Sequence, residues 1–246
     1  MHAELSRVWS SDVAAESRHA RIVVLRTMRA GAELVGAKSA LRLDADAYLV
    51  AGGGLPYIST PEPGAEPLAI ELILPDDAAT AEFLPALRST LDPVGQRIAE
   101  IAAHRPRDAW IALRGNDAAA LWASVEREER TLRARAFLIR CAKPATRDTL
   151  FRRLLLCADF IQSHYDQPLN VGVLAAVSNL SPFHFARLFA LVMDETPHAF
   201  LVRKRLTVAR RLLATGMGRA DVAERTGFGC RSTLFRQLRG AAPVPS

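Results

Sequence analysis

Long hydrophobic runs are missing from this chain. No stretch of its 246 residues reaches the roughly 18 consecutive apolar residues that a membrane-spanning helix needs, so no membrane partner is expected. Met1 to Ser11 lacks the apolar stretch of a signal peptide, and the expectation is a cytoplasmic protein. Cysteine is scarce: Cys141, Cys157 and Cys230 stand far apart and are odd in number. They suit neither a disulfide framework nor a zinc site and read as isolated structural thiols in a reducing compartment. No Ser, Cys or His lies in a nucleophile-elbow pattern, and no catalytic residue is expected. Gly31-Ala32-Glu33-Leu34-Val35-Gly36-Ala37-Lys38-Ser39 resembles a phosphate loop at first sight. It has one residue too many between the second glycine and the lysine, and it reads as a turn. Asp76-Asp77, after Pro75, also reads as turn chemistry.

Lysine is nearly absent, with Lys38, Lys143 and Lys204 against 29 arginines. Genome composition accounts for that preference, but not for where the charge lies. From Thr146 to Ser246 the chain carries 14 Lys and Arg and 7 Asp and Glu, a balance of +7. Of the whole chain's 32 basic and 26 acidic residues, this leaves 18 and 19 in residues 1–145, a balance of −1. Such asymmetry points to a polyanion as partner of the C-terminal part. Half of the residues are hydrophobic and 24% are charged, which excludes general disorder and allows a sizeable core.

The first third reads as strands and turns. Arg21–Thr27 holds Ile22-Val23-Val24-Leu25, apolar residues alternate from Leu41 through Leu43 and Ala45 to Ala47, and Ala47–Ala51 and Leu68–Leu74 are further strand candidates. Gly52-Gly53-Gly54 and Pro61-Glu62-Pro63-Gly64 punctuate them. Short strands with frequent turns favour a small barrel or sandwich. Helical periodicity follows in Leu91–Ala103 and in Asp117–Cys141, where Leu121, Trp122, Val125, Leu132, Ala136 and Ile139 recur at three- and four-residue steps. The Glu126-Arg127-Glu128-Glu129-Arg130 run reads as this helix's solvated face, and its apolar face packs either on its own barrel or on a second subunit. Cys141-Ala142-Lys143-Pro144-Ala145 reads as a linker, because proline stops a preceding helix.

The basic half contains an internal repeat. Leu174-Ala175 precedes Ser181-Pro182-Phe183-His184-Phe185-Ala186-Arg187-Leu188-Phe189, and Val222-Ala223 precedes Arg231-Ser232-Thr233-Leu234-Phe235-Arg236-Gln237-Leu238. Each copy reads as a short helix, a tight turn and a second helix. The turns Ser178-Asn179-Leu180 and Thr226-Gly227-Phe228 supply Asn and Gly, which take positive φ at low cost. The small Ala175 and Ala223 let the paired helices approach closely. Ser181 is a good N-cap and Pro182 fits the first helical position. Between the copies, Thr196-Pro197 opens and Gly216 closes a helix with the apolar line Phe200, Leu201, Leu206, Ala209, Leu212, Leu213. A helix of this kind holds the two units apart by a fixed distance. On one side of the molecule, their second helices would enter successive major grooves about 34 Å apart.

Together these positions resemble the DNA-binding domain of the AraC/XylS family of bacterial transcription regulators. Thr196-Pro197, Arg205-Leu206 and Gly227-Phe228 add to the resemblance, which covers roughly 40% of the chain. It implies a seven-helix domain with two helix-turn-helix units joined by a long helix. It also implies a small cupin-like barrel with dimerising helices ahead of it. The fold class expected is therefore α+β, an N-terminal cupin-like β-barrel followed by an all-α domain. The domains expected are 1–142 (sensing or dimerisation), a linker at 143–147, and 148–246 (DNA binding), with helix-turn-helix units at about 171–192 and 219–240. The chain departs from the family pattern at Ala186, where many members carry a longer polar side chain. It departs again after Leu238, where the last aromatic positions are lacking and the final helix is expected to be reduced or missing.

By position, the resemblance assigns base contacts to Phe183, Ala186 and Arg187 in the first unit and to Arg231, Ser232 and Arg236 in the second. Arginine can grip a guanine O6/N7 edge bidentately, apolar groups can meet a thymine methyl, and serine can bond either base type. Ser181, His184, Arg203, Lys204, Arg211 and Arg239 are expected at the DNA backbone. The six histidines (2, 19, 104, 164, 184 and 198) include no His-x-His pair, so neither the metal site of a metallo-cupin enzyme nor any other cofactor is expected. The expected partners are double-stranded DNA, RNA polymerase, a small-molecule effector and a second copy of the chain. One competing reading is a small-molecule-binding cupin-like protein or enzyme with a helical assembly tail. Another is a regulator whose barrel only dimerises.

Overall fold

The β-branched run at Ile22-Val23-Val24 lies at the centre of strand β1 (Ala20–Met28), which pairs antiparallel with both β4 (Ala47–Gly52) and β6 (Glu66–Leu74). Val24 stands opposite Val50 on one side and Ile70 on the other. In this computed structural model the described residues are 20–28, 32–36, 40–43, 47–52, 57–61, 66–74, 87–89, 93–103 and 110–240. The turn residues at Gly53-Gly54 and Glu62-Pro63-Gly64, the pair Asp76-Asp77, and His2, His19 and His104 lie outside them. The chain divides into two compact units, Met1–Phe137 and Leu138–Ser246.

In the first unit, β7 (Leu87–Ser89) and β8 (Trp110–Leu113) complete a five-stranded sheet in the order β7-β4-β1-β6-β8. The β6–β8 pair is parallel, and helix α1 (Pro93–Ala103) lies in the connection that such a pair requires. β2 (Ala32–Gly36) pairs antiparallel with β3 (Ala40–Leu43) and β5 (Tyr57–Pro61) in a separate three-stranded sheet. Tyr48 and Ile70 of the large sheet are fully buried, as are Val94 and Ile98 of α1. So are Leu121 and Val125 of α2 (Gly115–Ala136), which packs against α1 and β6.

Three expectations are corrected here. Among the described residues the cupin-like barrel, and with it the α+β class built on that barrel, is not found. Closing a barrel needs an unbroken ladder of paired strands. Among the described residues no pair joins the five-stranded to the three-stranded sheet, and the larger one ends on short edges at β7 and β8. From Gly115 to Gly240 the chain holds helices and the turns between them, with no strand. Second, Gly31–Ser39 is not simply a turn, because residues 32–36 form β2. Third, the Glu126–Arg130 run is not wholly outward: Glu129 is buried, with its carboxylate 3.5 Å from Arg133 Nε.

The second unit begins where proline is an asset. α2 ends at Ala136, and Pro144 opens α3 (Pro144–Ser163), so residues 143–147, the expected linker, are the N-cap and first turn of a helix. Proline's missing N–H is no loss there. Then follow α4 (Val171–Val177), α5 (Pro182–Met193), α6 (Pro197–Ala214), α7 (Arg219–Arg225) and α8 (Arg231–Gly240). That makes six helices among the described residues of this unit, against the seven of the family pattern; residues 241–246 lie outside them. No helix of the described residues is long and apolar enough to cross a membrane.

Two cores form in this unit. Around the first, Phe185 meets Phe189 with ring centroids 5.4 Å apart, and Phe189 meets Phe200 of α6 edge-on at 5.5 Å, separations at which aromatic pairs attract. The second joins Leu206 and Ala209 of α6 to Val222 and Ala223 of α7 and Leu234 of α8. α6 thus lends its start to one core and its end to the other.

Candidate nucleic-acid interface

The two copies of the repeat build the same turn. After α4, the N–H of Asn179 donates to Ala176 O at 3.0 Å and that of Leu180 to Ala175 O at 2.9 Å. After α7, Gly227 donates to Glu224 O and Phe228 to Ala223 O, both at 3.0 Å. This is the doubly bonded helix end that needs a left-handed residue one past the C-cap. Asn179 (φ 52°) and Gly227 (φ 72°) supply it. The C-cap hydroxyls also correspond: Ser178 Oγ donates to Leu174 O and Ala175 O (3.2 and 3.0 Å), and Thr226 Oγ1 to Val222 O (2.6 Å). Leu174, Ala175, Val222 and Ala223 are all buried. The sequence reading missed the Ser178/Thr226 pair, although the repeat offset aligns them.

The copies differ by one residue. Gly229 (φ 72°) lengthens the second turn, and Cys230 then takes the N-terminal position ahead of α8, its carbonyl accepting from Leu234 N. The Cys230 thiol is exposed, 3.2 Å from Ser232 Oγ and 3.1 Å from Thr233 Oγ1. Hydrogen bonds from Ser232, then from the Thr233 hydroxyl and N–H, favour its thiolate and lower its pKa to about 7. Ser181 holds the equivalent place ahead of α5, but its side chain makes no cap bond.

The helices after these turns carry the predicted base-reading residues. On α5, Phe183, Ala186 and Arg187 follow an i, i+3, i+4 spacing and so share a face. Phe183 is 81% exposed, Arg187 is exposed and Ala186 is half-buried. On α8, Arg231, Ser232 and Arg236 are all exposed, and Ser232 and Arg236 share a face. The inward side of each helix is held by Phe185 and Leu234 respectively.

The backbone candidates divide. Arg239 and Ser181 are exposed, and His184 and Arg211 are half-buried. Arg203 is exposed but already engaged: its guanidinium forks onto Glu195, with Nη2 donating to Oε1 at 2.6 Å and Nε at 3.0 Å, and stacks 4.8 Å from the Phe200 ring centroid. Lys204 is only 4% exposed, its ammonium 5.2 Å from the Tyr165 ring centroid. A buried ammonium over a ring contributes to packing.

A twice-built helix-turn-helix with exposed arginines on both second helices defines this class of protein, and residues 174–242 match the helix-turn-helix domain family. The Probable transcriptional regulator LumQ of Photobacterium leiognathi is 33% identical over 95 residues, covering 37% of this chain and 38% of LumQ. Regulatory protein SoxS of Salmonella typhimurium is 32% identical over 82 residues, covering 33% of this chain and 77% of SoxS. The chain belongs to the AraC/XylS family of bacterial transcription regulators. It matches well under half of the length of LumQ and of the uncharacterized HTH-type transcriptional regulator YbfI of Bacillus subtilis (38% and 29%). The solved structure of ToxT from Vibrio cholerae aligns over 90% of this chain at 8% identity with a TM-score of 0.33, below the level of a shared overall fold.

Proposed function

We propose that this protein is a sequence-specific double-stranded-DNA-binding transcription regulator that reads the major groove with α5 and α8. One observation carries this reading: the same pair of backbone bonds closes the first helix at both copies of the repeat, and the helix that follows exposes an arginine each time, Arg187 and Arg236. Phe183, Ala186, Arg187, Arg231, Ser232 and Arg236 contact bases. Ser181, His184, Arg211 and Arg239 contact the DNA backbone, with Arg203 as an auxiliary that must first release Glu195.

Residues 1–142 form the sensing or dimerising part, 143–147 the junction and 148–246 the DNA-binding part. A ligand that binds one arrangement of the first part better than another shifts how the second is presented, and the output is activation through RNA polymerase. The +7 balance of residues 146–246 supports the polyanion assignment.

Binding of the purified chain to duplex DNA across a salt series tests the reading. Neutralising about six phosphates gives a log–log slope near about −5. A chain with no duplex affinity at low salt, behaving only as an assembly module, would overturn it.

A further inference from the structure

α6 runs unbroken from Pro197 to Ala214, about 27 Å at 1.5 Å per residue. Phe200 belongs to the first core, and Leu206 opens the second. Among the described residues, none of α3, α4 and α5 packs substantially on α7 or α8; the two groups meet on α6. A helix of this length fixes the spacing of the two cores, and contacts made beside it can fix the angle.

Arg205 lies between the two cores. Its Nε donates to Tyr165 O at 2.6 Å and its Nη2 to Gln167 O at 2.7 Å, both in the segment that joins α3 to α4. Its guanidinium also lies 5.8 Å from the ring centroid of Phe228, in the turn of the second unit. The neighbouring Gly227 is pressed against the same place: a Cβ there would come 2.6 Å from Asp166 O and 2.9 Å from Arg205 Nη2. Three segments therefore close on one planar group. Only a forked donor can hold two carbonyls in a fixed plane, which an ammonium cannot do. No DNA role was expected for Arg205, which is half-buried on α6 with its guanidinium committed to two backbone carbonyls.

We propose that Arg205 is the positioning residue that sets the angle between the two helix-turn-helix units, and hence the separation at which two windows of one duplex are read. The inference rests on the DNA-binding reading above. Rigid linkage of two weak contacts raises affinity by about 10²–10⁴ over either alone, and a loosened joint forfeits part of that gain.

The test uses the full chain and a duplex it selects from a randomised library. Affinity is measured for that duplex, for versions with either window scrambled, and for one with roughly 5 base pairs, about half a helical turn, inserted between the windows. The intact chain should lose at least about tenfold on the insertion. Arg205→Ala should bind the selected duplex about tenfold or more weakly, keep its affinity for single-window duplexes, and lose most of the insertion penalty. Arg205→Lys, which keeps the charge but not the fork, should behave like Arg205→Ala. An undiminished insertion penalty in Arg205→Ala overturns the proposal. So does an equal loss on single- and two-window duplexes, which marks a residue needed only for folding. An intact chain indifferent to the insertion and to either scramble overturns the underlying two-window reading as well, and is told apart by its failure before any substitution is made.

Discussion

Arg187 and Arg239 are both exposed arginines in the basic unit, yet they should fail differently when removed. Arg187 follows Phe183 and Ala186 on the outward face of α5, where a bidentate grip on guanine is worth about 1–3 kcal/mol of discrimination. Arg187→Ala should cost about that much on the selected duplex and relax base preference, with little effect on random DNA. Arg239→Ala, in the last turn of α8, should weaken all duplexes alike and shrink the salt slope by about 1. Competition binding against cognate and random DNA separates the two. Thiol chemistry offers an independent check on local geometry. Cys230, with its pKa lowered to about 7 by the Ser232 and Thr233 hydrogen bonds, should react with iodoacetamide on a pH profile centred near that value. Cys157, pushed up to about 12 by burial, should stay silent in the folded protein. A Cys230 profile centred in the ordinary thiol range would show that the hydroxyls do not face it.

At the scale of elements, the same backbone conformation carries different consequences at different helix ends. Gly216 (φ 84°) follows α6, where Gly216 N donates to Leu213 O and Met217 N to Leu212 O. A Cβ at Gly216 meets nothing within 4 Å, so Gly216→Ala should cost only the left-handed penalty of about 1–2 kcal/mol. Gly227 has the same handedness but no room. Gly227→Ala should cost clearly more, read as a lower urea midpoint for the full chain, because the α3–α4 segment must move away. Thr196 caps α6 by accepting from Ala199 N at 3.2 Å, and Thr196→Ala should remove about 1 kcal/mol.

For the whole molecule, charge and pattern were readable before any coordinates. The paired turns were legible because Asn179 and Gly227 serve one local geometry, and the helix boundaries at Pro182 and Pro197 because proline suits a first turn. Lys204 and Arg205 were not legible. Both are cations in a basic, amphipathic stretch, and nothing local says that one lies over Tyr165 while the other forks onto Tyr165 and Gln167, some 38–40 residues earlier in the chain. Strand pairing was equally hidden. β2, β5, β7 and β8 are short, and whether strands close into a barrel depends on partners distant in sequence. The sequence by itself determined the helical repeat, its turns and the gathering of positive charge, since these follow from near-neighbour backbone preferences and composition. Only the tertiary structure decided which cations stay in solvent, that the strands of the described residues form two separate sheets, and that one arginine ties together segments from both halves of the basic unit. Those outcomes depend on packing between segments distant in sequence.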